Sequence, residues 1–215
     1  MITRMQMKRG FPVLAIAGLL LAGGDVVRAD SEEECEERAP VKHEDHLGTV
    51  RLLQSLSHSR HTLGDGIREA VRTQDEVAIS AKFELDDNGK LSLSVYTAGK
   101  GLETDAEHNV LQELAGSPED KAWKPEIEVF KDVEHVSRSS QQLTLMVLSP
   151  LSLKEILAKV QKDHPGTLLS ITPRLEGRKA FFQVQVAVGD NVNAGGIDEY
   201  RYDLLTGKEV LVANK

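Results

Sequence analysis

The chain has 215 residues, 26 of them basic and 34 acidic, so its formal net charge is −8. An acidic chain without a basic stripe repels nucleic-acid phosphates and anionic lipid surfaces, which argues against nucleic-acid binding. Cys35 is the single cysteine, so there is no internal disulfide framework. The fold must therefore be held together by packing.

The first 29 residues have the pattern of a secretory signal peptide. Arg4, Lys8 and Arg9 precede an apolar run from Phe11 to Ala22 that is too short to span a bilayer comfortably. The small residues at the end of 27–29 predict cleavage after Ala29, with sites a few residues away and an uncleaved anchor as alternatives. Cleavage removes four basic residues and one acidic residue, which takes the net charge from −8 to −11. We therefore expect a secreted or periplasmic protein with no stable membrane span after cleavage.

Residues 30–46 are predicted to be an acidic, disordered tail. Cys35 follows Glu32-Glu33-Glu34 rather than the small apolar residues that lipoprotein processing needs. A solvated spacer is the plainest interpretation of this segment. The alternative is a free thiol used for intermolecular pairing or metal capture, with His43 and His46 nearby.

A pattern of residues occurs twice, at an offset of ninety positions. Thr62 to Ile67 and Ser152 to Leu157 each read as a hydroxyl cap followed by a helical apolar pattern. An alternating strand pattern follows at the same offset in both places. The matched pairs are Leu63 and Leu153, Ile67 and Leu157, Ala70 and Val160, Ile79 and Leu169, Ser80 and Ser170, Ala81 and Ile171, and Leu85 and Leu175. The offset predicts a duplicated supersecondary unit.

The first unit is predicted to contain two helices and a hairpin. A helical stripe lies at Leu47, Val50, Leu53 and Leu56, and a second helix runs from Thr62 to about Asp75. Strands are predicted at Val77 to Leu85 and at Leu91 to Thr97. Asp86-Asp87-Asn88-Gly89 lies between them and is a strong hairpin signal, so the two strands are expected to be antiparallel.

The second unit repeats this order. A helix is predicted from Ser152 to about Asp163, and the strands that follow are predicted at Thr167 to Leu175, Ala180 to Val188, Asp198 to Asp203 and Glu209 to Val212. Gly177 marks the turn that corresponds to the first hairpin.

A bridging helix is predicted between the units, from Asp132 to Ser149. One face carries Val133, Val136, Ser140, Leu143 and Val147, and we expect this face to be mostly buried.

Trp123 is the one tryptophan of the chain and is the only candidate partner-binding residue. A large aromatic residue in an aromatic-poor chain is typical of an anchor for a partner. The alternative is that Trp123 is mostly buried and fills the seam between the two units, because tryptophan is highly buried on average.

The predicted fold class is α+β, with two tandem repeats that each pack a helix on a three- or four-stranded antiparallel sheet and are joined by the bridging helix. The predicted divisions are a signal peptide at 1–29, the acidic tail at 30–46, a first repeat with its preceding helix at 47–120, a linker with the bridging helix at 121–150, and a second repeat at 151–215.

The end of the second unit, Tyr200 to Leu211, resembles the ending of the PepSY domain in its Tyr-x-x-Asp-x-x-Thr-Gly-Lys-x-Val-type pattern. In the first unit, Leu102 to Leu111 is the equivalent, with one residue missing and Asn109 in place of the glycine. The resemblance covers roughly 62–111 and 151–211. It implies helix-on-sheet units in an exported protein, and a role in restraining or regulating peptidases outside the cytoplasm.

No catalytic, cofactor-binding or metal-binding residue is predicted. The sequence contains neither a His-Glu-x-x-His nor a Gly-x-Ser-x-Gly motif and has no phosphate-binding glycine loop. His43 with His46, and His58 with His61, have spacings that suit two metal ligands, but each pair lacks a third. His108, His135 and His164 are interpreted as surface or turn residues, so no enzyme activity is predicted.

Two classes of function follow. The first is a non-catalytic binding module that regulates or inhibits an extracytoplasmic peptidase, or docks on another envelope protein, through a sheet edge or the cleft between repeats. The second is a structural or small-ligand-binding envelope protein that reuses the PepSY fold. A neighbouring gene for a secreted metallopeptidase would favour the first, and a deep apolar cavity within either unit would favour the second.

Overall fold

Helix α1, His43–Leu56, comes first in the part of the chain that the structure describes. This computed structural model describes residues 43–71, 75–189 and 196–211. The predicted signal peptide at 1–29 and Cys35 lie outside these residues, as does the predicted tail up to residue 42. The helix begins before Leu47, so the last residues assigned to the tail are helical.

The predicted linker at 121–150 contains a strand, β4 (Glu126–Val129), which pairs with the first unit and is counted with it. The first unit then contains one more helix and four strands: α2 (Leu63–Ala70), β1 (Val77–Leu85), β2 (Leu91–Ala98), β3 (Leu111–Gly116) and β4. The predicted hairpin is confirmed: the amide of Asp86 donates to the carbonyl of Lys90 at 2.8 Å, and Gly89 adopts the positive φ of 73° that the turn requires. Helix α2 ends at Ala70, earlier than the predicted Asp75.

The predicted bridging helix is α3 (Val133–Leu148), and it is counted here with the second unit. That unit then contains two helices and three strands: α3, α4 (Leu153–Asp163), β5 (Thr167–Glu176), β6 (Lys179–Val188) and β7 (Gly196–Asp203). The turn at Gly177 is confirmed by its φ of 58°. The closing strand predicted from Glu209 is wrong for the residues described up to 211, because Glu209 forms only an isolated bridge with Tyr202.

The seven strands of the described residues form one antiparallel sheet with the order β4-β3-β2-β1-β5-β6-β7. The predicted α+β class is confirmed, and the four strands of the first unit and the three of the second join edge to edge. The junction is short: β1 pairs with β5 only at Ala81 with Ile171 and at Lys82 with Ser170.

Strands β1 and β5 each contain a register shift, and the two shifts lie ninety positions apart in the sequence. A register shift lies between Ala78 and Ser80 in β1, and another lies between Leu168 and Ser170 in β5. Helix α1 precedes the capped helix α2, and helix α3 precedes the capped helix α4. The helix predicted as a bridge is therefore the counterpart, in chain order, of the helix that precedes the first unit. That the two units arose by duplication stays a prediction.

Helices α2 and α3 lie on opposite faces of the sheet. Gly66 of α2 packs against Leu93 of β2, with space too small for a side chain between them. Gln142 of α3 instead accepts a hydrogen bond from Ser80 of β1. Leu93 pairs with Phe83, and residues 80 and 83 of a strand point to opposite faces.

The predicted buried face of α3 is confirmed at Leu143, which is buried, and at Val136 and Ser140, which are half-buried, but it is wrong at its two ends. Val133 is 86% exposed and Val147 is 52% exposed. The buried residues of this helix are Ser139, Gln142, Leu143, Leu145 and Met146. Two of the five are polar, so the buried face does not stand out as an apolar stripe in the sequence. Among the described residues, no helix combines the length and apolar character needed to cross a membrane.

Candidate binding groove

The α2–α4 groove, named for the two helices that form its walls, is a cavity with a volume of about 950 Å³. The first residues of β1 and β5 also border it, as do Leu102, Met146 and the turn that joins α3 to α4. The groove therefore lies where the two units meet.

Several residues that line one wall of the groove have a counterpart on the other wall ninety positions later in the sequence. Apolar lining residues that correspond in this way are Leu63 and Leu153, Ile67 and Leu157, and Ala78 and Leu168. Leu63, Leu153 and Met146 are almost completely buried. Because the two units contribute matching apolar side chains, the interior of the groove is predominantly apolar.

Matching N-terminal caps hold the two wall helices. Asp65 Oδ2 accepts from the amide of Thr62 at 2.9 Å, and Thr62 Oγ1 accepts from the amide of Asp65 at 3.1 Å. In α4, Glu155 Oε2 accepts from the amide of Ser152 at 2.7 Å, and Ser152 Oγ accepts in return at 3.3 Å. These capping boxes satisfy amides that the first turn of a helix leaves unpaired. The sequence prediction that Thr62 caps α2 is confirmed.

The caps also shift the acidity of their carboxyl groups. The hydrogen bond from the Thr62 amide is the main cause that lowers the pKa of Asp65. The corresponding bond from the Ser152 amide lowers the pKa of Glu155. Both side chains are therefore carboxylates near neutral pH, and they are already engaged in the caps.

The rim of the groove carries polar groups of both charges. Arg68 forms an ion pair with Asp65 at 2.7 Å, and 70% of its side chain is exposed. Lys154 lines the opposite wall and is exposed. Gln161 Nε2 donates to the carbonyl of Gly166 at 3.2 Å. A molecule with an apolar body can thus bury that body and leave a polar end at the rim.

The short β1–β5 junction explains why a groove forms here. Only two residue pairs connect the strands, and the register shifts at Ala78/Ser80 and Leu168/Ser170 flank this pairing. Bulges bend a strand and increase its twist. We infer that β1 and β5 diverge from their short contact and leave space between the helices above them.

Trp123 lies in the segment between β3 and β4 and is 4% exposed. Its Nε1 donates to the carbonyl of Gly116 at 3.2 Å. The predicted burial is confirmed, but the place differs from the predicted seam, since the units meet at β1 and β5. A partner contact through Trp123 stays a prediction, and a side chain this buried offers little surface for it.

Four of the histidines lie in separate surroundings and do not cluster with one another. His61 Nε2 contacts the carbonyl of Asp120 at 3.0 Å, and His108 and His135 each contact the aspartate three positions earlier. His164 stacks on Tyr200, with ring centroids 3.6 Å apart. Within 43–71, 75–189 and 196–211, no three His, Cys, Asp or Glu side chains are grouped so that they could hold a metal ion.

The segment that resembles PepSY forms a turn. Asp203 Oδ1 accepts from the amide of Thr206 at 2.8 Å, and Gly207 has a φ of 61°. In the first unit, Asn109 Nδ2 donates to the carbonyls of Gly101 and Thr104. Both endings thus use side-chain hydrogen bonds to shape the backbone.

Comparison with known proteins does not identify a family. The sequence matches no model of a known protein family, and it has no significant match among curated proteins, so the resemblance to PepSY gains no support here. A solved structure of a provisionally assigned lipoprotein (CD1622) from Clostridium difficile 630 shares 14% identity with this chain. The match covers 72% of this chain and 93% of that chain, with a TM-score of 0.37. At this score, the likeness does not establish a shared fold.

A cleft between the repeats was predictable from the sequence, but its lining residues were not predicted. The signal that could have identified them is the ninety-residue offset itself. Two pairs of residues that match across the offset on α2 and α4, Leu63 with Leu153 and Ile67 with Leu157, also line the groove.

Proposed function

We propose that the protein is an exported, non-catalytic binding protein that holds an apolar small molecule in the α2–α4 groove. The observation that carries this proposal is the apolar groove of about 950 Å³ between the two wall helices. Pockets for small molecules and cofactors commonly span roughly 300–1,000 Å³ and are mainly apolar with a few polar groups. Export is part of the proposal and is supported by the signal-like pattern of residues 1–29.

The groove favours a small ligand over a purely structural role. Its lining includes apolar side chains that are only half-buried, such as Val71, Leu102 and Leu168, and these leave apolar surface open to water. Filling it with an apolar molecule would remove further apolar surface from water, at roughly 25 cal/mol per Å². Lys154 and Arg68 at the rim leave room for a ligand whose other end is polar or anionic.

Regulation of an extracytoplasmic peptidase, which the PepSY resemblance implies, is the second candidate. The observation that favours it is the sheet edge at β4, where four exposed residues pair with β3 alone. An exposed edge strand can bind an extended segment of another protein.

The test uses the mature chain from residue 30 and an environment-sensitive apolar dye. We expect saturable binding that unlabelled long-chain fatty acids displace. Ala158→Trp places a large side chain on the groove wall and should weaken dye binding at least tenfold. Lys162→Trp adds the same ring to α4 at a position outside the lining and should leave binding unchanged. Non-saturable binding, or equal effects of the two variants, would exclude the groove as the site.

A further inference from the structure

The two edges of the sheet differ in how far the chain itself covers them. At one edge, the segment after β7 returns, and the amide of Val210 donates to the carbonyl of Arg201 at 2.7 Å. At the other edge, β4 pairs only with β3. All four β4 residues are exposed, including Ile127 at 60% and Val129 at 45%. Among the described residues, nothing pairs with the outer side of β4.

The outward backbone groups of β4 can be assigned from its pairing. The amide of Phe130 donates to the carbonyl of Leu111 of β3 at 3.0 Å. Backbone groups alternate in direction along a strand, so the N–H and C=O groups of Glu128 and Glu126 also point toward β3. Those of Ile127 and Val129 point away from the sheet. Such unpaired groups are a template for an additional strand.

The side chains of β4 alternate between acidic and apolar. Glu128 pairs directly with Glu113 of β3, and Glu126 lies on the same face two positions away. None of these three carboxylates has an ion-pair partner among the described residues. Like charges directly opposite each other in a sheet are destabilising. A cation beside these three carboxylates would therefore reduce the repulsion between them.

A second copy of this chain does not suit this edge. Antiparallel pairing of two β4 strands would bring Glu126 and Glu128 of one copy beside those of the other, which adds repulsion. β4 also carries none of the lysine, proline or bulge features that commonly protect an edge from pairing. The face that carries Glu126 and Glu128 therefore disfavours pairing with a second copy. The outward backbone groups of β4 can still pair with a strand of different charge.

We propose that β4 binds an extended segment of a partner protein in which basic and apolar residues alternate. The segment adds as an eighth strand, with backbone hydrogen bonds to Ile127 and Val129. Its basic side chains lie beside Glu113, Glu126 and Glu128, and its apolar side chains lie beside Ile127 and Val129. The net charge of −8 assists the encounter with such a segment. This site is separate from the α2–α4 groove and does not depend on its ligand.

The test measures fluorescence anisotropy of a capped hexapeptide that alternates lysine and valine. We expect saturable binding to the mature protein that weakens as salt is added. A peptide of the same composition with its lysines and valines in two blocks should bind at least tenfold more weakly. A glutamate–valine peptide should not bind. Equal binding of the alternating and block peptides would overturn the proposal, because simple charge attraction would explain both.

Variants locate the site. Ile127→Pro removes an outward N–H without removing a bond to β3, and proline is tolerated on edge strands, so it should reduce affinity at least tenfold. Glu126→Gln with Glu128→Gln should weaken binding and flatten its salt dependence. The matched control, Glu103→Gln with Glu107→Gln, removes two exposed carboxylates elsewhere and should change little.

A change on the peptide keeps the test independent of protein folding. Methylation of alternate backbone nitrogens removes the donors of one peptide edge, so the peptide with its β4-facing nitrogens methylated should lose binding. The peptide methylated on its other edge should retain it. Equal binding of both, or dimerisation of the protein through β4 in place of peptide binding, would overturn the proposal.

Discussion

Gly66 of α2 and Leu93 of β2 touch so closely that a Cβ atom on Gly66 would lie 2.6 Å from Leu93 Cδ2. Leu93 is completely buried in the core, so its side chain has little space into which to move. The absence of a side chain at Gly66 thus sets how closely α2 approaches the sheet, and with it one wall of the groove.

The first prediction compares the two glycines of α2. Overpacking at Gly66→Ala should cost about 1–3 kcal/mol, and alanine should return roughly 1 kcal/mol through its higher helix propensity. The free energy of unfolding should therefore fall by about 0–2 kcal/mol. Gly64→Ala is the control, because its Cβ would meet only Thr62 Oγ1 at 3.8 Å, and it should be neutral or stabilising. Denaturant unfolding measures both. Equal effects of the two substitutions would contradict the close contact.

The second prediction concerns the buried hydrogen bond from Ser80 Oγ to Gln142 Oε1, at 2.9 Å. Ser80→Ala should destabilise the protein by about 1–3 kcal/mol, because it leaves the buried amide of Gln142 unsatisfied. Gln142→Leu should likewise leave the buried Ser80 hydroxyl without a hydrogen-bond partner. The double variant should cost less than the sum of the two single variants. Thermal unfolding of all four proteins gives the coupling, and strict additivity would show that the bond contributes nothing.

The third prediction concerns pH and the cap of α2. The amide of Thr62 lowers the pKa of Asp65 from its ordinary value of 3.8. A carboxyl whose pKa is lower in the folded state than in the unfolded state contributes stability above pH 3.8, and this contribution is lost as the pH falls through the folded value. The native protein should therefore be more stable than Asp65→Asn near pH 6, and the difference should shrink below about pH 4.

Urea unfolding at a series of pH values measures this difference. Asp87→Asn is the control, since Asp87 is an exposed hairpin carboxylate with no hydrogen bond among the described residues. A difference between the native protein and Asp65→Asn that stays constant from pH 6 to about pH 2 would show that the cap does not depend on charge.

The fourth prediction concerns Trp123. Trp123→Ala should cost about 3–5 kcal/mol of stability, the usual range for a large buried aromatic residue. Trp123→Phe keeps most of the packing and loses the bond to Gly116, so it should cost about 1 kcal/mol. Thermal unfolding compares them. An unchanged midpoint in Trp123→Ala would show that the side chain is dispensable for the fold and free to contact a partner.

Features encoded within a few residues were predictable from the sequence. The Thr62 cap, the Asp86 to Gly89 turn and the helix from Leu153 depend on hydrogen bonds between close neighbours along the chain. The two strands that follow α2 and the two that follow α4 were likewise predictable, because each pair is joined by a short turn. The end of α2 at Ala70 was missed, because residues 71–75 contain no glycine or proline that would signal the end of a helix.

Features that depend on distant contacts were decided only by the tertiary structure. Pairing of Ala81 with Ile171 joins the two units into one sheet. No local sequence pattern predicts which strands become neighbours. The buried face of α3 includes Gln142 because Ser80 supplies its partner from another element. Trp123 is buried beside Gly116, away from the seam.

By itself, the sequence determined the composition, the charge and the local turns and caps, because each depends on residues adjacent in the chain. The α2–α4 groove and the free edge at β4 arise from how whole elements approach one another. Burial and strand pairing are stabilised by contacts between residues far apart in sequence. Many different packings of the helices and strands are compatible with the same local sequence patterns. Only the folded structure shows which arrangement satisfies them together.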